Sequence, residues 1–152
     1  MSVSFNIPPR RILVRGTNWL GDAVMTTPAL RRLREQFPAA HIALLTHAKL
    51  ADLWQNHPAV DETISFAAGE SVLAVAQKLR AEKFDLALVL PNSPRAALEV
   101  FLAGIPQRVG YARPWRNWFL TRTVAPRADA VKMRKRSAVE INQLMAGVKI
   151  RN

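Results

Sequence analysis

Apolar residues recur along the chain in two alternating rhythms. Arg11-Ile-Leu-Val-Arg15 is a short apolar run stopped by Gly16, and it reads as a buried strand. After the loop from Gly16 to Gly21 the spacing becomes helical. Val24, Leu30, Leu33 and Phe37 fall near one face, with Arg31, Arg32, Arg34 and Glu35 largely elsewhere. Pro28 lies inside this pattern; it either kinks the helix or occupies its first turn behind Thr27 as N-cap, and Pro38 marks the stop.

The same alternation repeats downstream. Ile42 to Thr46 reads as a strand, Leu50 to Gln55 as a short helix and Glu62 to Phe66 as a strand. A helix is predicted over Ser71 to Lys83, with Val72, Val75, Ala76 and Leu79 on its apolar side. Asp85-Leu-Ala-Leu-Val-Leu90 is continuously apolar, as a strand covered on both faces of a parallel sheet should be. Ala96 to Leu102 is a further helix ending at Gly104, and Arg108-Val-Gly-Tyr111 a last short strand. Strands alternating with helices predict an α/β fold with a Rossmann-like parallel sheet flanked by helices. Beyond it, Val124 to Met133 has little periodicity. Arg136 to Ala146 reads as a helix with Val139, Leu144 and Met145 inward, stopped by Gly147. Met25, Met133 and Met145 read as core.

Composition narrows the class. The 152 residues are 49% hydrophobic and 22% charged, the balance of a soluble domain with a core. There is no cysteine, which excludes disulfides and thiolate metal sites. Met1 to Pro9 lacks the pattern of a secretory signal, and no apolar run approaches the roughly 20 residues of a membrane span. A cytoplasmic protein is expected, attached at most to a membrane surface. The net charge of +11 is uneven: eleven basic and nine acidic residues precede Ile105, and eleven basic and two acidic follow from there. The C-terminal third therefore favours phosphate- or carboxylate-bearing partners such as nucleic acid, anionic headgroups or an acidic glycolipid.

The loop Gly16-Thr-Asn-Trp-Leu-Gly21-Asp22 follows the first strand of this pattern, where open α/β sheets place ligands. Gly16 and Gly21 have P-loop spacing, but Asp22 and Ala23 stand where the lysine and hydroxyl residue belong. A carboxylate there would repel a triphosphate. The close glycine pair of the dinucleotide fingerprint is missing as well. Asp22 remains as a candidate general base, beside the ordinary role of an Asp as helix N-cap. The three histidines, His41, His47 and His57, show no metal spacing and suit surface or packing roles.

Arg11 to Leu30, read as a whole, closely resembles the opening of the ADP-heptose:lipopolysaccharide heptosyltransferases. Further segments match in the family's order: His57-Pro-Ala-Val-Asp-Glu62, Phe84-Asp85, Leu90-Pro-Asn-Ser-Pro-Arg95, Ala103-Gly-Ile-Pro and Arg108-Val-Gly-Tyr-Ala-Arg113. The resemblance implies the N-terminal half of a GT-B fold, in which this domain takes the lipopolysaccharide inner-core acceptor. The donor, ADP-heptose, would bind a C-terminal domain. The implied reaction is an inverting transfer of heptose to a core hydroxyl, with Asp22 as the base and neither metal nor other cofactor.

The resemblance places Asn18 and Trp19 in the acceptor cleft, although Trp19 also suits a core or lid position. Asn92, Ser93 and Arg95 would lie at a neighbouring strand end. Arg95 matches a position that contacts acceptor acids in related enzymes; its other reading is a solvated arginine in a first helical turn. Arg113 and Arg116 suit the same task through the arginine fork, while each taken singly reads as a surface arginine.

A complete enzyme of this kind is about twice as long, with two domains of roughly 150 residues. The expected organisation is an acceptor-binding domain over 1–130 and a basic helical tail over 131–152 at the interdomain crossing, around Lys132-Met-Arg-Lys-Arg136, with the donor domain absent. Such a chain should bind acceptor without transferring heptose, and its partner would be a missing or separate donor domain. The rival class is a basic nucleic-acid-binding module, suggested by aromatic and arginine interleaving over Tyr111-Ala-Arg-Pro-Trp-Arg-Asn-Trp-Phe119. No known nucleic-acid motif accompanies it, and no specific nucleic acid is expected. A second alternative is a non-catalytic acceptor-binding module.

Overall fold

The computed structural model describes residues 3–5, 7–125 and 148–150. The expected helix over 136–146, Met133, Met145 and the Lys132–Arg136 run lie outside these residues. Six strands form the main sheet: β2 (Arg11–Arg15), β3 (His41–His47), β4 (Glu62–Phe66), β5 (Leu86–Val89), β6 (Gln107–Tyr111) and β7 (Arg122–Val124). Their order is β4-β3-β2-β5-β6-β7 and every pairing is parallel. The order reverses beside β2, so the topological switch point, where such sheets hold ligands, lies between β2 and β5. A separate parallel pair joins β1 (Val3–Phe5) to β8 (Val148–Ile150), two strands the sequence pattern does not announce.

Side-chain alternation along the strands builds two cores. Ile12, Val14, Ile42, Leu44, Leu86 and Leu88 face α2 (Thr27–Gln36), where Leu30, Leu33 and Phe37 are buried. Leu13, Ala43, Leu45, Ala87 and Val89 face α3 (Val72–Ala81) and α4 (Pro94–Leu102). This double coverage is what the continuous apolar strands require.

The segment after β2 is two helices rather than one. The first, α1 (Leu20–Met25), ends at Thr26, whose hydroxyl donates to the Ala23 carbonyl at 2.6 Å. Thr26, not Thr27, is then the cap residue of α2, and Pro28 sits in the first helical turn, where its missing N–H costs nothing. The break turns Val24 away from the apolar face; it is exposed, contrary to the single-helix pattern. Val72 is half-buried, while Val75, Ala76 and Leu79 are buried as expected. The short helix after β3 is 3-10 (Ala48–Trp54). At the end of α4, Gly104 adopts a φ of 73°, and the Ile105 N–H reaches the Val100 carbonyl. The strand β6 is not the last: β7 adds to its far edge, with three residues too few to show an alternation.

Candidate functional site

Because β2, β5 and β6 are adjacent and parallel, the segments that leave their carboxyl ends lie side by side. The first carries Asn18, Trp19 and Asp22, the second Asn92, Ser93 and Arg95, the third Arg113 and Arg116. The sequence-predicted residues thus share one edge of the sheet, at the switch point. The Leu90 N–H donates to the Arg15 carbonyl at 3.2 Å, tying the start of the second segment to the end of β2.

Asp22 does not cap α1. Trp19 occupies the cap position without a side-chain hydrogen bond, and Asp22 lies half-buried within the first turn. The N-cap position considered for Asp22 is thus held by Trp19, with Asp22 as the acidic residue of the first turn. Trp19 is 72% exposed, which removes its core reading, and the Lys49 ammonium stands 5.8 Å from its ring centroid. Gly16 is closely approached where the loop leaves the sheet: an added Cβ would stand 3.1 Å from the Leu45 carbonyl oxygen. Gly21 has open space around it.

The loop rests on two residues that hydrophobic pattern alone does not single out. Arg15 and Glu99 are fully buried and paired, Nε to Oε2, at 2.8 Å. Strand parity explains the meeting: Arg15 follows Leu13 onto the face covered by α4, and Glu99 lies on the buried side of that helix. Arg15 Nη1 donates to the Gly16 carbonyl at 2.7 Å and to Asn18 Oδ1 at 3.0 Å. Its guanidinium carbon lies 4.5 Å from the Phe66 ring centroid. The other Glu99 oxygen accepts from Arg95 Nε at 3.0 Å, and Arg95 Nη2 donates to the Glu70 carbonyl. Arg95 is exposed yet held at both ends of its guanidinium, so it is not the freely solvated arginine of the alternative reading. Ser93 caps α4, its Oγ accepting from the Ala96 N–H at 3.3 Å; Asn92 is exposed. Thr17 Oγ1 is buried with no hydrogen-bond partner among the described residues.

Arg116 corrects the expectation of a surface arginine. It is fully buried, and its Nη1 donates to the Pro91 carbonyl, clasping the segment that carries Asn92 and Ser93. Burial, with nearby Arg113 adding repulsion, pushes its pKa down to about 10, so the group remains charged at neutral pH. Arg113 is half-buried; its backbone N–H donates to Asn117 Oδ1 at 2.8 Å. The neighbouring aromatics divide: Tyr111 is buried and Phe119 packs on Phe101, whereas Trp115 and Trp118 are 84% and 88% exposed. The interleaved stretch is therefore not a continuous stacking platform.

Of the histidines, His47 lies at the carboxyl end of β3, against the Phe66 ring that also faces Arg15. His41 meets Glu62 at 3.0 Å, His47 stacks edge-on against Phe66, and His57 packs against Trp54. Among the described residues no group of three or more His, Asp or Glu gathers to hold a metal, and no helix is long and apolar enough to cross a membrane.

This arrangement, a doubly covered parallel sheet with polar and basic groups along the carboxyl edge of its switch point, defines a Rossmann-like unit with a candidate site where such sheets hold ligands. Residues 72–142 match the model of glycosyltransferase family 9 (heptosyltransferase). The chain is 36% identical over 107 residues to lipopolysaccharide heptosyltransferase 2 of Escherichia coli K12, covering 66% of this chain and 31% of that protein. It is 30% identical over 106 residues to lipooligosaccharide heptosyltransferase 2 of Haemophilus ducreyi, covering 66% and 30%. Among solved structures, ADP-heptose LPS heptosyltransferase II of Escherichia coli superposes with a TM-score of 0.73 at 32% identity, over 86% of this chain and 40% of that one. A family 9 glycosyltransferase from Veillonella parvula shares the fold, with a TM-score of 0.79 at 23% identity, over 91% and 40%. In sequence and fold the chain is similar to the family 9 heptosyltransferases, and its parallel sheet flanked by helices is that of one Rossmann-like half of a GT-B glycosyltransferase. It spans about a third of the length of the curated relatives it matches.

Proposed function

We propose that this chain is the acceptor-binding half of a lipopolysaccharide core heptosyltransferase, holding an inner-core saccharide at the carboxyl edge of β2, β5 and β6. The observation that carries the reading is the convergence of Asn18, Trp19, Asp22, Asn92, Arg95 and Arg113 on that edge, in a chain similar to this family. The relatives named as ADP-heptose and lipopolysaccharide enzymes supply the substrate class.

On this reading Asp22 is the base. A sugar hydroxyl is a poor nucleophile, and a carboxylate that takes its proton as the new bond forms contributes rate only while that bond is forming. Inverting transfer follows if the hydroxyl attacks the face of the heptose opposite the departing ADP. Arg95 and Arg113 suit the acidic groups of the acceptor, and Arg116 acts through the loop it clasps. On this reading the donor is held by a part of the enzyme outside this match, and the chain by itself binds acceptor and transfers nothing. We place it in peripheral contact with an anionic membrane surface, with Trp115 and Trp118 as the contact residues; four arginines and no acidic residue accompany them between Ile105 and Ala125.

The test is an end-point transfer assay of the purified chain with ADP-heptose and inner-core acceptor. No product is expected from the chain alone. Product formation would overturn the division of labour proposed.

A further inference from the structure

The chemistry of one buried ion pair determines which end of Asn18 meets a ligand. Arg15 has only donors, so the atom of Asn18 that it meets at 3.0 Å must be the carbonyl oxygen, whichever way an amide could otherwise be turned. The amide nitrogen is then the end directed away from Arg15, and it has no hydrogen-bond partner among the described residues. Arg15 itself cannot turn. Glu99 holds Nε, the Gly16 carbonyl shares Nη1, and the Phe66 ring lies against the guanidinium face. Glu99 also balances the buried charge, so the group presented at the loop surface is a neutral donor.

We infer that Arg15 and Glu99 are positioning residues that present Asn18 as a hydrogen-bond donor to an oxygen of the bound saccharide. This rests on the acceptor-binding reading above and adds to it a sense of recognition. The ligand atom at Asn18 is an oxygen accepting a hydrogen bond. Glu99 joins this donor to Arg95 through its second oxygen, so the neutral donor and the cationic fork are set by one carboxylate.

Two measurements test it. In nitrogen-15 spectra of the chain, the Arg15 Nε proton should exchange slowly with solvent while the Asn18 side-chain amide protons exchange as in a free amide. Protected Asn18 amide protons would overturn the orientation, and this outcome does not depend on any ligand. The second uses deacylated inner-core oligosaccharide as probe. Asn18→Asp keeps an oxygen for Arg15 but replaces the donor with a carboxylate oxygen; its thermal midpoint should be kept while affinity falls at least tenfold. Arg15→Lys cannot reach Glu99, Gly16 and Asn18 together; it should keep the near-ultraviolet dichroism of the fold yet lose affinity to a similar degree. Wild-type affinity in either variant would overturn the role assigned. A wild type that binds no oligosaccharide would instead overturn the acceptor reading, with the exchange rates still deciding the orientation of Asn18.

Discussion

Gly110 lies directly beneath the guanidinium of Arg116: a Cβ at position 110 would stand 2.5 Å from Nη2 and 3.3 Å from the Val89 carbonyl oxygen. The glycine therefore makes room for a buried cation at the end of β6, and that cation clasps Pro91 at the end of β5. Because the arginine is enclosed, it cannot swing aside. Gly110→Ala should cost about 1–3 kcal/mol of stability through overpacking, read by urea denaturation. An unchanged midpoint would mean that Arg116 is free to move and does not hold the loop.

The pair Arg15–Glu99 makes a larger demand. Removing one member of a buried pair leaves the other charge without compensation, at a cost of about 3–5 kcal/mol. Glu99→Ala should show that loss in the same denaturation experiment. Glu99→Leu combined with Arg15→Met should recover much of it, because both charges leave together. A single variant as stable as wild type would contradict the buried ion pair.

His57 gives the fold a pH dependence. Burial, reinforced by Arg31, holds its imidazole below the usual value of 6.5. The unfolded chain takes up a proton near 6.5 that the folded chain refuses. Stability present above that pH is therefore lost as the pH falls through it, down to the folded-state value. His57→Asn offers an oxygen in place of the Nδ1 that accepts from the Ala59 N–H and has no proton to gain. Its thermal midpoint should fall less than the wild type's between pH 7.5 and 5.5, on the order of one pH unit to either side of the imidazole value. Parallel curves would assign the acid sensitivity elsewhere.

Trp115 combines an exposed indole with a φ of 66°, a left-handed backbone that a bulky residue adopts at some cost. Trp115→Gly should therefore raise stability by up to about 1 kcal/mol. That gain is read by urea denaturation; in a separate measurement Trp115→Ser with Trp118→Ser, which leaves every charge in place, should weaken partitioning onto anionic phospholipid vesicles at least tenfold. Partitioning equal to wild type would leave the basic residues alone responsible and remove the two tryptophans from the membrane contact.

The strands of the main sheet were legible because buried parallel strands are unbroken apolar runs, and Ile12 to Val14 and Leu86 to Val89 are fully buried as that pattern requires. The helix boundary at Thr26 was not, since the Ala23 carbonyl is satisfied by a threonine hydroxyl whose partner a periodicity cannot show. The short strand β7 and the pair β1–β8 have three residues each, below the length at which alternation can be read. At the site, Asp22, Asn18 and Arg95 were singled out by resemblance to the family motif, and the structure places them on one edge of the sheet. Arg15 and Glu99 escaped because an arginine flanking a strand and a glutamate within a helix look like surface residues; only the register of β2 against α4 buries them together. Arg116 escaped for the same reason, its space being provided by a glycine six residues earlier in the chain.

The central claim is that these 152 residues hold the acceptor and not the donor. It is tested most directly by separate calorimetric titrations of the chain with deacylated inner-core oligosaccharide and with ADP-heptose, in wild type and Asp22→Ala. Saturable binding of the oligosaccharide by both proteins, with no heat from ADP-heptose, is the expected result. Saturable binding of ADP-heptose, or none of the oligosaccharide, would contradict it.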